Sequence, residues 1–393
     1  MAAASSFPSA ASFPPGDYRL TNVSVPLCLL DAKDGGDAES ETVASATLTI
    51  SGGEIRDIAL RGNTNAPADN APAIDLDSGM IWPACADMHT HIDKGHIWFR
   101  MPNPSGTRSD ALALVAKDRE AKWNAEDVAA RMDFSLRCAF AHGTAAVRTH
   151  IDSIGPQAAI SWPVLKETRK RWADRIALQA VSLVTLDAYV GQAGERLAGL
   201  VAEHGGILGG VVIDDPNPGP ALDRVFALAR DRNLDLDFHA DETDNPDSNG
   251  LEAIAEATIR FGWQGRVTAG HCCSLARRPE PDAARTIARV AAAGVAVVSL
   301  PMCNMYLQDR QAERHTPRWR GVTLVQELAA AGVPVAVASD NTRDPFYAYG
   351  DLDPVEVFTQ AVRIGRDRRS CCLRLPARDL WQTEKLLRGG GLR

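Results

Sequence analysis

Two histidines one residue apart, His89 and His91, stand in Asp87-Met88-His89-Thr90-His91-Ile92-Asp93-Lys94, at the end of the apolar run Gly79–Ala86. Residues i and i+2 of a strand face the same way. Both imidazoles therefore project together from a strand's C-terminal end, where they can take adjacent sites on a divalent metal. Taken alone, the pair equally describes surface or core histidines. Three more chemically active residue sets follow. Phe238-His239-Ala240-Asp241-Glu242 ends one apolar run with a His and places a carboxylate three residues later. Thr268-Ala269-Gly270-His271 ends another run, and Val335-Ala336-Val337-Ala338-Ser339-Asp340 delivers an Asp at its tip. Singly, each of these also describes a helix N-cap, Asp340 above all, or a satisfied polar residue at a strand end.

The elements that must position these residues alternate along the chain. Apolar strand candidates end near Asp87, Arg148, Val184, Ile213, Phe238, Gly270, Leu300 and Ser339, with helix-favouring stretches between them, such as 110–143, 250–262 and 321–332. Most of the helical stretches run into a glycine stop just before the next strand. Eight strands at this spacing fit a (β/α)8 TIM-type barrel best, although a doubly wound open sheet also alternates. In a barrel, active sites lie at the C-terminal face of the strands. Strands one, five, six and eight each end there in a His or Asp, with Glu242 just behind. Such a set of imidazoles and one carboxylate supplies a complete mononuclear metal site with room for water.

Ahead of this body, residues 1–17 are Ala/Ser/Pro-rich and read as a disordered N-terminus, and 18–76 read as a small β module of short apolar runs. Gly52-Gly53 supplies its hairpin turn. The alternating strand–helix body occupies 77–365, and 366–393 form an atypical basic tail with eight Lys/Arg against three Asp/Glu.

Composition narrows the function classes. The chain has 393 residues, is 45% hydrophobic and 23% charged, and carries a net charge of −8, which excludes wholesale disorder and argues against nucleic acid as a partner. No apolar run reaches the length of a membrane span. The eight cysteines, with no CxxC pair, are not a disulfide framework, and no secretory signal is visible, so the expectation is a reduced, cytoplasmic protein. The phosphate-binding GxxxxGK[ST], the GxGxxG, the GxSxG elbow, the HExxH helix and the HxE…PCxxC deaminase signature are all missing.

The residues resemble the amidohydrolase superfamily and, within it, the cytosine-deaminase-like branch. The resemblance runs from about Leu76 to Val362. It is carried by six ordered blocks: His89–Lys94, Val147–Asp152, His239–Glu242, Arg266–His271, Leu307-Gln308 with Arg320–Thr323, and Ser339–Phe346. It implies a barrel holding one divalent ion, Zn²⁺ or Fe²⁺, beside a small β-sandwich built from both chain ends. The sandwich is incomplete here if 366–393 do not return to it. By the same resemblance His89, His91, His239 and Asp340 are the metal ligands, and Glu242 is the proton shuttle. His271 orients the attacking water, and Asp340 accepts a proton while ligating. The implied reaction is hydrolytic deamination of an amino-substituted nitrogen heterocycle such as a cytosine-like pyrimidine, with Glu242 protonating the ring nitrogen.

Substrate contacts are expected from Lys94, Thr185, Asn341 and Phe346. Branch members acting on cytosine carry a Gln at the Thr185 position, a second carboxylate at Asn341 and a Trp at Phe346, so the pyrimidine edge is read differently here. Asp93-Lys94 is similar to branch members that hydrolyse N-alkylamino-triazines. That substrate class, a cyclic amide, and a catalytically impaired binding protein are the alternatives. The expected partner is a small heterocycle, with no nucleic acid and no membrane, and homo-oligomerisation is left open.

Overall fold

The computed structural model describes residues 13–14, 16–30, 35, 37, 42–61, 71–310 and 316–365. The expectations for 1–12 and for the basic tail 366–393 lie outside them. The chain divides into two compact units between Ala84 and Cys85.

In the first unit, β1 (Tyr18–Pro26), β2 (Val43–Ser51), β3 (Glu54–Leu60) and β4 (Ala73–Asp75) form one sheet in the order β3-β2-β1-β4. β1–β2 and β2–β3 are antiparallel, whereas β4 pairs parallel to β1. Gly52 and Gly53 both take positive φ, 60° and 80°, the conformation that a tight two-residue hairpin turn requires. Alternation puts Leu20, Val23 and Val25 of β1 against Ala46, Leu48 and Ile50 of β2 in a local apolar core. Gly79 and Ile81 also bond to Ser24, which keeps the stretch after β4 within this unit.

The second unit repeats strand and helix. Its strands are β5 (Cys85–Thr90), β6 (Thr144–Asp152), β7 (Ala177–Leu183), β8 (Leu208–Val212), β9 (Leu236–Ala240), β10 (Val267–His271), β11 (Ala296–Ser299) and β12 (Val335–Val337). They form two parallel sheets, β5-β6-β7 and β12-β11-β10-β9-β8. Isolated parallel bridges Val181–Ile207 and Thr185–Val211 lie where β7 meets β8, and Thr90–Asp340 lies where β5 meets the end of β12. Each strand falls on one of the apolar runs ending in the residues named above.

The helices are α1 (Arg108–Lys122), α2 (Ala125–Ala141), α3 (Gln157–Trp172), α4 (Gly191–Glu203), α5 (Gly219–Arg232), α6 (Gly250–Phe261), α7 (Glu280–Ala293), α8 (Pro301–Leu307), α9 (Val325–Ala330) and α10 (Pro354–Gly365). The long helical stretch over 110–143 is two helices. The break falls where the Asn124 side chain accepts from Asp127 N–H and caps α2. The stops after α6 and α7 are Gly262 and Gly294 in the left-handed conformation. Among the described residues no helix is long and apolar enough to cross a membrane.

Polar side chains inside this unit join the two sheets. Arg148 of β6 donates to Asp237 of β9 at 2.9 Å and to Thr268 of β10 at 3.3 Å, with Arg148 and Asp237 both buried. Removing one partner of such a pair leaves an uncompensated buried charge.

At the end of β9 the chain turns at Asp241, φ 50°. Its carboxylate accepts from Ser248 Oγ at 2.7 Å, Gly250 N–H at 2.8 Å and Leu251 N–H at 2.9 Å, so it caps α6 and fixes the turn that carries Glu242. Asp241→Ala leaves these donors unpaired, and we expect a loss of about 2–4 kcal/mol. It should read as a lower urea midpoint with an unchanged slope. An unmoved midpoint would show that water replaces the carboxylate.

Candidate active site

The strand ends bring the chemically active residues to one place. His89 Nε2 lies 3.2 Å from His239 Nε2, and His239 Nε2 lies 3.3 Å from His91 Nε2. Asp340 Oδ1 is 3.1 Å from His91 Nε2 and 3.7 Å from His89 Nε2. Four ligands 2.0–2.1 Å from one tetrahedral ion stand about 3.4 Å apart, so these donors have the spacing of a mononuclear site. All four side chains are buried. Neither carboxylate oxygen of Asp340 accepts a conventional N–H or O–H hydrogen bond, which leaves it suited to a cation. The donor set of three imidazoles and a carboxylate suits Zn²⁺ or Fe²⁺ alike.

Electrostatics agree with that use. Burial holds the imidazoles of His89, His91 and His239 well below their ordinary pKa, so they are neutral and available as ligands. Burial, and then the charge of Glu242, pushes Asp340 well above the usual carboxylate range. A bound cation reverses that tendency.

Backbone geometry places these groups. Asp241, His271 and Asp340 all have positive φ, 50°, 69° and 66°, so the chain kinks sharply at or just beyond three strand ends. Asp340 N–H donates to His89 O at 2.8 Å, which ties the carboxylate to the end of β5, where His89 lies in the strand and His91 just beyond it.

Glu242 and His271 stand beside the four donors. Asn304, on α8, reaches His271 Nδ1 at 3.0 Å and donates to Glu242 Oε1 at 3.4 Å, while His271 Nδ1 is 3.6 Å from that same oxygen. His150 stacks on His89 with ring centroids 3.9 Å apart. With His89 and His239 it also forms a group of imidazoles close enough to hold an ion, and His89, His271 and Asp340 form another.

A cavity opens onto this cluster and contains every substrate-contact residue anticipated from the sequence: Lys94, Thr185, Asn341 and Phe346. The Lys94 ammonium is 5.2 Å from the Phe346 ring centroid and pairs with Asp152 at 3.0 Å. Burial works against its charge, but Asp152, Asp93 and Asp344 outweigh it, and the pKa of Lys94 is raised. Asn341 donates to Asp344 at 2.6 Å, so part of its amide is engaged within its own loop.

Sequence reasoning did not find Arg108, Leu112, Val115 and Arg119, which line the same cavity from one face of α1. Arg108 Nε donates to Glu242 Oε2 at 3.1 Å, and Arg119 pairs with Asp152 at 3.0 Å. Their spacing of 4, 3 and 4 residues is the signal that could have revealed them: a helical stripe with a cation at each end and apolar residues between. Cys272, Cys273 and Cys303 are buried thiols whose pKa burial pushes well up.

Gly270 is the closest steric constraint on the cluster. A Cβ there would stand 2.8 Å from His89 Cε1 and 2.9 Å from His89 Nδ1. Gly270→Ala must displace that ring, and we expect purified protein to retain its far-UV circular dichroism and lose most of its bound metal by elemental analysis. Undiminished metal would show that the ring yields without moving its ligating nitrogen.

Comparison with known proteins accords with this geometry. Residues 211–375 match the model of the "Amidohydrolase family". A pterin deaminase of Rhizobium rhizogenes (strain K84 / ATCC BAA-868) is 55% identical over 354 residues, covering 89% of this chain and 80% of the relative. An N-isopropylammelide isopropyl amidohydrolase of Pseudomonas sp. (strain ADP) is 24% identical over 312 residues, 75% of this chain and 72% of that protein. Among solved structures, 5-methylcytosine deaminase from Klebsiella pneumoniae superposes with a TM-score of 0.78 over 94% of this chain and 86% of its own, at 23% identity, a likeness of fold. With a relative sharing more than half its residues across most of both chains, this chain belongs to the amidohydrolase family.

Proposed function

We propose that this chain is a metal-dependent hydrolase that deaminates an amino-substituted nitrogen heterocycle, and that the ring is a pterin. The observation that carries the reaction class is the four-donor cluster of His89, His91, His239 and Asp340, with Glu242 and His271 beside it at the mouth of one cavity. The choice of ring rests on the pterin deaminase relative. A pterin carries an aminopyrimidinone edge fused to a second ring, so it keeps the chemistry expected of a cytosine-like pyrimidine while asking for a longer pocket. The two parallel sheets are, in this reading, halves of one closed (β/α)8 barrel. The bridges at both meeting points and the Arg148–Asp237 pair that joins the sheets support it.

His89, His91, His239 and Asp340 would hold a divalent ion, which would supply Lewis-acid polarisation and a nucleophilic water at neutral pH. The chain's own residues do the rest. Glu242 carries a proton to the ring nitrogen next to the amino-bearing carbon, which lets electron density leave that carbon as water adds. His271, held by Asn304, donates to the oxygen where negative charge develops. Asp340 takes a proton from the water and passes it to the amine, Glu242 takes back the proton of the new C–OH, and as the C–N bond breaks the amine departs as ammonia and the carbonyl forms. Lys94, kept charged by Asp152, meets a carbonyl oxygen of the ring, while Phe346, Thr185 and Asn341 bound the ring's plane and edge.

The decisive experiment pairs metal content with product analysis. Purified protein should hold about one Zn or Fe per chain, lost in the His89→Ala/His91→Ala variant, and should release ammonia from pterin. Glu242→Gln should keep the metal and lose about 10²–10⁴-fold in kcat. Release of an alkylamine from an N-alkylamino-triazine, with no ammonia from pterin, would replace this reading with the triazine one. Metal-loaded protein inert toward both would remove it.

Lys94→Met separates recognition from chemistry. It should raise KM for pterin by about 10-fold or more with metal content intact, because a buried ring carbonyl then lacks its donor. An unchanged KM would take Lys94 out of substrate binding.

A further inference from the structure

We propose that Arg108 is a positioning residue for the hydrolysis. From the first turn of α1 it holds Oε2 of Glu242 and thereby aims the other carboxylate oxygen at Asn304, His271 and the substrate. The proposal rests on the reading of Glu242 as proton carrier given above.

Three observations carry it. The Arg108 Nε to Glu242 Oε2 bond is 3.1 Å long, a charge-assisted contact whose acceptor is buried while the cation is about one-third exposed at 32%. Glu242 is thereby held at both oxygens, because Asn304 donates to Oε1 at 3.4 Å. The segment that delivers Arg108 is itself tied down. Thr107 caps α1 by accepting from Asp110 N–H, and Asn103 Nδ2 donates to Thr107 O at 3.0 Å and to Pro345 O at 2.9 Å. His96 and Trp98 N–H bond to Thr342 O and Arg343 O, so the stretch between β5 and α1 is laced to the loop that follows Asp340. Gly106 takes φ 67° at this turn, and a Cβ there would meet the Arg310 guanidinium at 2.9 Å. A cation brought so firmly to one oxygen of a glutamate removes the carboxylate's freedom to rotate away from the reacting atoms. Misplacement by about 1 Å costs about 100-fold in rate.

The test joins turnover with a signal that needs none. Arg108→Ala should retain its metal and lose about 10–100-fold in kcat with KM little changed. Added guanidinium should restore part of the loss in Arg108→Ala and nothing in Glu242→Gln. The double variant should be no slower than Glu242→Gln alone, since both act through one carboxylate. Independently, the Nε–H resonance of Arg108 in metal-loaded protein, assigned by its loss in Arg108→Lys, should move in Glu242→Gln. A resonance that stays in place overturns the proposal whether or not any substrate turns over, as does an Arg108→Ala rate equal to wild type. A moving resonance in a wild-type protein inert toward pterin keeps the pair and overturns the substrate.

Discussion

Burying Asp340 among neutral imidazoles without a conventional hydrogen-bond donor is the constraint around which the second unit is organised. A carboxylate out of water is costly unless something positive or proton-donating meets it. Here the groups within reach include His91 and His89, both held neutral by burial, and the thiol of Cys303. Strand ends from three separate segments converge on this point, and their own backbone bonds, such as Asp340 N–H to His89 O, keep them there. The fold therefore assembles a set of donors whose electrostatic balance a cation would complete.

Ionic chemistry is sorted by depth. Farther from the strand ends, Arg148 and Asp237 pair with each other and join the two sheets. Toward the cavity, Lys94 and Arg119 share Asp152. Asp93 lies beside this group, and its charge helps hold that of Lys94. Burial pushes its pKa up to about 7, and it accepts the Asp152 N–H at 2.8 Å.

Much of this was legible in the sequence because the strands of the second unit are nearly continuous apolar runs, and each run stops at a residue that cannot be part of it. His89, His239, His271 and Asp340 announce both the end of a strand and a chemical group. The cluster could be assembled on paper once alternating strands and helices implied a common C-terminal face. The helical half was less legible. Arg108 and Arg119 sit in a stretch whose composition reads as an ordinary solvated amphipathic helix, and only the path of 91–107 turns that face toward the cavity. Asp241 was hidden differently. Its carboxylate is consumed by three donors around the start of α6, a role that its place beside Glu242 does not announce. In the first unit the hairpin was marked by Gly52-Gly53, but the parallel pairing of β4 with β1 depends on a connection that short-range pattern does not encode.

The face of α1 that carries Arg108, Leu112, Val115 and Arg119 behaves as a ruler laid along the cavity. At 1.5 Å of rise per residue, its two arginines are separated by about 16 Å, more than the length of a fused bicyclic ring. The ligand cluster hangs on strand ends and this ruler on a helix, so the two can change separately. Exchanging Leu112 or Val115 for a larger or smaller side chain resets the size of molecule admitted without touching a donor atom. A scaffold arranged in this way can keep its donor cluster while the cavity beside it changes.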